Sequence, residues 1–273
     1  MSGIVVSFCA GSVLLALIPL GFILFFALRQ GLPALGWDFF TQMPRPVGEP
    51  GGGMANAIAG TLILVGLASL IAVPIGVVSG IYLSEYRKSL LSTAARFSAD
   101  VLNGVPSIVI GLFAYSVAVL PFRRFTAAAG GLALGIMMIP LIVRTTEELL
   151  NLVPATLRDG ALALGATRAR AVATVILPAA LPGIVTGVLV ALARIAGETA
   201  PLLFTAFNNR YWSARLDQPI SSLTVQVYTY AISPYDDWHR QAWAGATVLI
   251  GAVLLCSLLA RLATRRLEGM HRP

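Results

Sequence analysis

Residues 57–82 read AIAGTLILVGLASLIAVPIGVVSGIY, a run without a single charged side chain. A helix of about 20 apolar residues, at a rise of about 1.5 Å per residue, crosses a hydrocarbon core about 30 Å thick. In lipid the backbone polar groups must be satisfied inside the segment, and the run lacks the alternation of a barrel strand. The stretch therefore predicts a membrane-spanning helix.

Five more segments share this length and apolar character: 4–28, 101–120, 127–143, 182–206 and 243–262. The composition agrees, since 57% of the residues are hydrophobic and only 11% are charged. Such a chain is too apolar for an ordinary soluble domain. We therefore predict an all-α, polytopic membrane protein in which residues 1–273 form one transmembrane domain of six helices.

The formal net charge of +7 is spread over the loops and does not form a basic stripe with interleaved aromatic residues, so we expect no nucleic-acid partner. The loops on one side of the predicted membrane contain 11 Lys and Arg residues, and those on the other side contain 7. By the positive-inside rule, the side with more of them is cytoplasmic. This bias predicts that both termini are cytoplasmic. Cys9 and Cys256 stand singly in apolar runs, and no metal site is expected.

The loop at residues 147–181 lies between the fourth and fifth predicted spans. It is helical in pattern, is interrupted at Gly160 and Gly165, and ends at Pro178 and Pro182. Proline is tolerated in the first turn of a helix, so Pro182 fits the start of the next span. The residues alone leave two interpretations open: a rigid protrusion held in a groove of another protein, or a hairpin on the membrane surface.

Arg194 and Glu198 lie inside the fifth span, where ionisable side chains are costly and usually face a bundle interior or an aqueous path. Four residues apart on a helix, they can pair. The pair has a structural interpretation, mutual neutralisation that fixes helix packing, and a functional one. In the functional one, Gly197 and Pro201 bend the span into a gate, and the guanidinium of Arg194 binds an oxyanion such as phosphate.

Two further residues join this candidate path. Thr199 follows Glu198 directly, within the bend. Arg144 lies at the cytoplasmic end of the fourth span, after Pro140, and is either a second group on the anion path or a positive-inside anchor.

Two motifs carry a resemblance to a known family. Asp159-Gly160-Ala161, three residues, Gly165, nine residues, Val175, one residue and Leu177-Pro178 resemble the EAA loop of type I bacterial ABC-importer permeases, with Asp159 in place of the glutamate. The string ARIAGETAPLL at residues 193–203 is similar to the fifth-span signature of the PstA permease subunits of phosphate importers.

The resemblance implies a MetI-like fold, a place in the cytoplasmic (inner) membrane of a bacterium, and a permease that catalyses no bond cleavage itself. It implies that the loop docks on an ATPase through Asp159, Gly160, Ala161, Gly165, Leu177 and Pro178. The implied partners are a PstC-type permease subunit, a PstB-type ATPase dimer and a PstS-type phosphate-binding protein.

The chain contains no Walker A sequence, so ATP and Mg²⁺ are expected on the separate ATPase and no cofactor on this chain. Four alternatives stay open: a permease for sulfate, molybdate or another oxyanion, a PstC-type sister subunit, an intramembrane enzyme that uses Glu198, and a passive anion channel.

Overall fold

The computed structural model describes residues 2–49 and 51–270, and only the backbone of residues 2, 4 and 263–270. The described residues contain helices and no strand. The α-helices, in chain order, are α1 (Ser2–Gly31), α2 (Trp37–Thr41), α3 (Ala55–Glu85), α4 (Leu90–Gly104), α5 (Ser107–Ala114), α6 (Ala127–Leu152), α7 (Ala155–Ala163), α8 (Arg168–Ala171), α9 (Leu177–Ala196), α10 (Ala200–Thr205), α11 (Leu223–Ala231) and α12 (Asp236–Met270).

Five helical segments of the described chain are long and apolar enough to cross a membrane, as the all-α, multi-span prediction requires. They are α1, α3, α6, the continuous run from α8 through α9, and α12. A sixth is obtained when α4 and α5, which meet at 106°, are counted as one bent span.

The third predicted span, 101–120, differs from the observed helices. Its first residues belong to α4, which ends at Gly104, and a separate helix begins at Ser107. Pro106 explains the bend, because a proline disfavours helical backbone at the residue before it, and Val105 is extended with φ −70° and ψ 130°. After the bend, α5 continues into a π-helical turn at Tyr115–Val119.

The fourth and fifth spans also depart from the predicted bounds. Helix α6 continues from residue 143 to Leu152, into the segment predicted as a loop. Helical structure resumes at Arg168 and passes through a π-helical turn, Val172–Ile176, into α9. The chain between spans is thus shorter than 147–181, because polar residues extend the helices beyond the apolar core.

Helices α3 and α6 form the centre of the bundle. A Cβ atom at Gly76 would lie 2.6 Å from the Cβ of Ile142, and one at Gly80 would lie 2.6 Å from the Cβ of Thr146. In lipid, helices associate mainly through close packing of small residues, so these glycines bring the two backbones together. Buried side chains such as Leu134 fill the rest of the contact. The two helices therefore act as one packed unit.

Candidate functional site

The fifth span is broken at the residues that the sequence singles out. Helix α9 ends at Ala196 and α10 begins at Ala200, with Gly197 capping α9. Two short-range bonds close the helix, Gly197 N–H to Arg194 O at 3.2 Å and Glu198 N–H to Ile195 O at 3.1 Å. Pro201 lies in the first turn of α10, where its missing N–H costs no helical bond. The predicted bend is therefore a complete interruption of the helix.

The break separates the two charged side chains. Arg194 is exposed on the surface of the single chain, and Glu198 is half-buried. Within the described residues, no ion pair joins them. Pairing at a four-residue spacing requires a continuous helix, and the helix stops between the two residues. The idea that they pair does not hold in this conformation.

Helix α11 contacts the break through a hydrogen bond. The hydroxyl of Thr224 donates to the carbonyl oxygen of Glu198 at 2.9 Å, and the backbone N–H of Leu223 donates to the hydroxyl of Thr61 on α3 at 2.8 Å. Ser222 caps α11 by accepting from the N–H of Val225. The carbonyl of Glu198, which lies in the break, therefore receives a partner from a third element.

From the sequence, residues 222–232 in the segment between the fifth and sixth spans fit either an amphipathic helix or a strand, and the structure shows the helix α11 there. Buried polar residues surround its N-terminus, and Asn208 Nδ2 donates to Gln226 Oε1 at 3.0 Å. A signal was present in Ser222, a preferred N-cap residue immediately before an apolar run. Thr199 lies at the start of α10, where its carbonyl accepts from the N–H groups of Leu202 and Leu203.

Arg144 forms part of a charge network at the other end of the bundle. Its guanidinium lies 3.1 Å from Asp100 on α4 and 3.2 Å from Glu147 on α6. Glu147 is buried and also accepts from Arg96 at 2.5 Å. Arg96 in turn donates to the carbonyl of Leu83, near the end of α3, at 2.9 Å. Arg144 is thus tied to two carboxylates that join α4 and α6.

The predicted docking residues form two groups. Asp159, Gly160 and Ala161 lie on α7, and Gly165 follows this helix with a φ of +83°, which suits glycine. A Cβ atom at Gly160 or at Gly165 would meet no atom within 4 Å, so both lie on an open surface. Leu177 and Pro178 begin α9, after the π-helical turn that follows α8.

One exposed ion pair lies on the loop that precedes α11. Arg215 contacts Asp217 at 3.0 Å and 3.1 Å, and both side chains are exposed. The hydrogen bond from Arg215 holds the pKa of the Asp217 carboxyl below its usual range. Burial raises the pKa of the Tyr230 phenol on α11. The described residues contain no cluster of His, Cys, Asp or Glu that could hold a metal ion.

Comparison with known proteins places these features in a family. The family of binding-protein-dependent transport system inner membrane components matches residues 72–269. The phosphate transport system permease protein PstA of Yersinia pestis is 45% identical over 251 residues, which cover 92% of this chain and 85% of that protein. PstA 1 of Mycobacterium tuberculosis (strain ATCC 25618 / H37Rv) is 37% identical over 279 residues, covering 97% of this chain and 89% of that protein.

Solved structures support the same fold. A chain of the inward-facing MetNI methionine ABC transporter superposes with a TM-score of 0.61 at 20% identity, covering 79% of this chain and 94% of that one. A chain of a bacterial alginate ABC transporter gives a TM-score of 0.66 at 15% identity, covering 96% and 94%. The MetI-like permease fold expected from the EAA-type loop is therefore confirmed. This chain belongs to the family of binding-protein-dependent transport system inner membrane components and, within it, to the PstA-type permease proteins.

Proposed function

We propose that this chain is a membrane-spanning permease subunit of an ATP-driven phosphate importer. The observation that carries the proposal is its 45% identity, over 92% of its length, to a protein named as a phosphate transport system permease. Its complex would contain a PstC-type permease subunit, a PstB-type ATPase dimer that binds ATP and Mg²⁺, and a PstS-type phosphate-binding protein.

The interrupted fifth span supports a role in gating. A continuous helix resists bending, whereas α9 and α10 are joined by three residues and can change their relative orientation. Arg194 lies on the last turn of α9 and is not paired with Glu198. Its planar guanidinium can donate two parallel hydrogen bonds to an oxyanion. We assign Arg194, Glu198 and Thr199 to the anion path, with Arg194 as the group that meets phosphate.

Arg144 supplies a second control point in this proposal. Its two carboxylate partners compensate its charge, and a passing anion would have to compete with Asp100 and Glu147 for it. Such competition would couple the arrival of the anion to the contact between α4 and α6. Arg144 would then act at the cytoplasmic end of the path.

The protruding loop supports docking on the ATPase. The segment around α7 and α8 is largely exposed, and at its tip Leu164 is 90% exposed. Small residues such as Gly160 and Ala161 allow another protein to approach the helix backbone closely. With the loop facing the ATPase, both termini and the majority of the basic loop residues lie on the cytoplasmic side.

Anion competition tests the substrate. Membrane vesicles containing the complete complex would be supplied with labelled phosphate and an excess of unlabelled phosphate, sulfate or molybdate. We expect only unlabelled phosphate to suppress uptake. Suppression by sulfate or molybdate to the same degree would assign the permease to another oxyanion.

A further inference from the structure

The end of α3 is joined to α7 by a two-bonded ion pair. Arg158 Nη1 lies 2.8 Å from Glu85 Oε2, and Arg158 Nη2 lies 2.6 Å from Glu85 Oε1. The exposed fractions are 28% for Arg158 and 13% for Glu85. Two parallel bonds between a guanidinium and a carboxylate fix orientation as well as distance, and partial burial reduces screening by salt.

Apart from this ion pair, helix α7 contacts α8 and the π-helical turn Val172–Ile176 at the start of the fifth span. All nine of its residues are described and none is buried, so no apolar side chain anchors the helix in the core. A cavity of about 220 Å³, lined by Glu85, Arg158, Leu162 and Ile176 among others, lies on its inner side. An open space thus lies between part of α7 and the end of α3, and the ion pair lies at its edge.

The covalent connection to α6 is by itself a hinge. Helix α6 ends at Leu152, Val153 is extended with φ −65° and ψ 126°, and Pro154 follows. At its other end α7 is joined to α8, and so to the fifth span, by Leu164–Thr167, which contains Gly165 in the left-handed region. Between these two connections the ion pair at Arg158 joins α7 to the end of α3. Because α3 and α6 pack through Gly76 and Gly80 as one unit, a displacement of α7 then moves both helices together.

We infer that the Glu85–Arg158 pair is a mechanical link that transmits movement of the docking helix α7 to α3 and, with it, to the packed α3–α6 unit. Arg158 and Glu85 are positioning residues in this account and contact neither phosphate nor ATP. The inference rests on the proposed function for its consequence in transport, and on the structure alone for the restraint of α7.

Two measurements test the restraint of α7 and its consequence in transport separately. In the complete complex, with Cys9 and Cys256 replaced by serine, spin labels at Thr156→Cys on α7 and Leu70→Cys on α3 report the distribution of distances between the two helices. The ratio of phosphate imported to ATP hydrolysed reports coupling. The variants are Glu85→Arg, Arg158→Glu and the exchange of both charges, and exchanging Arg215 with Asp217 is the control.

Each single reversal should broaden the distance distribution and lower the transport ratio by roughly fivefold to tenfold, within the range of coupling between contacting residues. The exchange should restore both to within about twofold, since the same attraction is remade. The control exchange should change neither.

Unchanged distances in the single variants, or an exchange as impaired as the singles, would overturn the inference. Broadened distances with a normal transport ratio would overturn the role in coupling. If the unmodified complex imports no phosphate, the proposed function fails, while the distance measurement still decides whether the pair restrains α7.

Discussion

The hydroxyl of Thr224 donates a hydrogen bond to the carbonyl oxygen of Glu198, 26 residues earlier in the chain, at 2.9 Å. This contact joins α11 to the break between α9 and α10. A helix break inside a membrane leaves carbonyl groups without intrahelical partners, and lipid supplies none. The bond therefore explains how the fifth span can be interrupted at Gly197 without leaving the backbone carbonyl of Glu198 unsatisfied.

Replacing Thr224 with valine removes this bond while keeping the shape of the side chain. We expect the broken conformation of the fifth span to be destabilised by about 1 kcal/mol. Phosphate uptake should decrease severalfold, with normal insertion of the protein. Thr229→Val is the control, because Thr229 donates within α11 to the carbonyl of Val225. Equal uptake by the two variants would show that α11 does not support the break through Thr224.

Arg194→Ala and Glu198→Ala should each abolish phosphate uptake in a complex that is still inserted and assembled. Arg194→Ala removes the guanidinium proposed to meet the anion, and Glu198→Ala removes the only carboxylate at the break. Uptake of labelled phosphate, together with co-purification of the partner subunits, measures both effects. Normal uptake by both variants would leave the two residues with only a structural role.

Glu147→Gln should destabilise the bundle by up to about 3 kcal/mol, because it leaves Arg96 and Arg144 without their shared, buried carboxylate. Thermal unfolding of the purified complex checks this. Glu148→Gln is the matched control, since its side chain is exposed on the same turn of α6. A midpoint lowered as much by the control as by Glu147→Gln would contradict the importance of the network.

Gly160→Trp tests docking more cleanly than a substitution of Gly165, whose positive φ would strain any side chain. Gly160 is helical and faces open space, so tryptophan can be accommodated in the isolated chain. We expect the ATPase to dissociate or to hydrolyse ATP without transport. Gly251→Trp, at another open helical glycine, serves as the control. ATPase binding and uptake that are normal in Gly160→Trp would refute docking at α7.

The sequence predicts the helical class and the main spans well, because long apolar runs such as 57–82 are determined by the bilayer alone. Helix ends are harder to predict. Helix α6 continues past residue 143 because polar residues such as Glu147 and Glu148 also favour a helix, although they end the apolar run. Pro106 is a local signal for the bend between α4 and α5, but the continuous apolar run 101–120 predicts a single helix there. Within the site, Gly197 and Pro201 predicted the bend of span five, but the contact between Thr224 and Glu198 is tertiary and has no local signature. The bond from Arg158 to Glu85 likewise depends on two elements 73 residues apart.

Reconstituted transport tests the central claim most directly. The chain would be purified with its native partners, placed in liposomes and supplied with labelled phosphate. The account predicts uptake only when ATP, Mg²⁺ and the phosphate-binding protein are all present. Phosphate flux without ATP, as from a passive channel, or no phosphate uptake by the complete and ATP-hydrolysing complex, would contradict it.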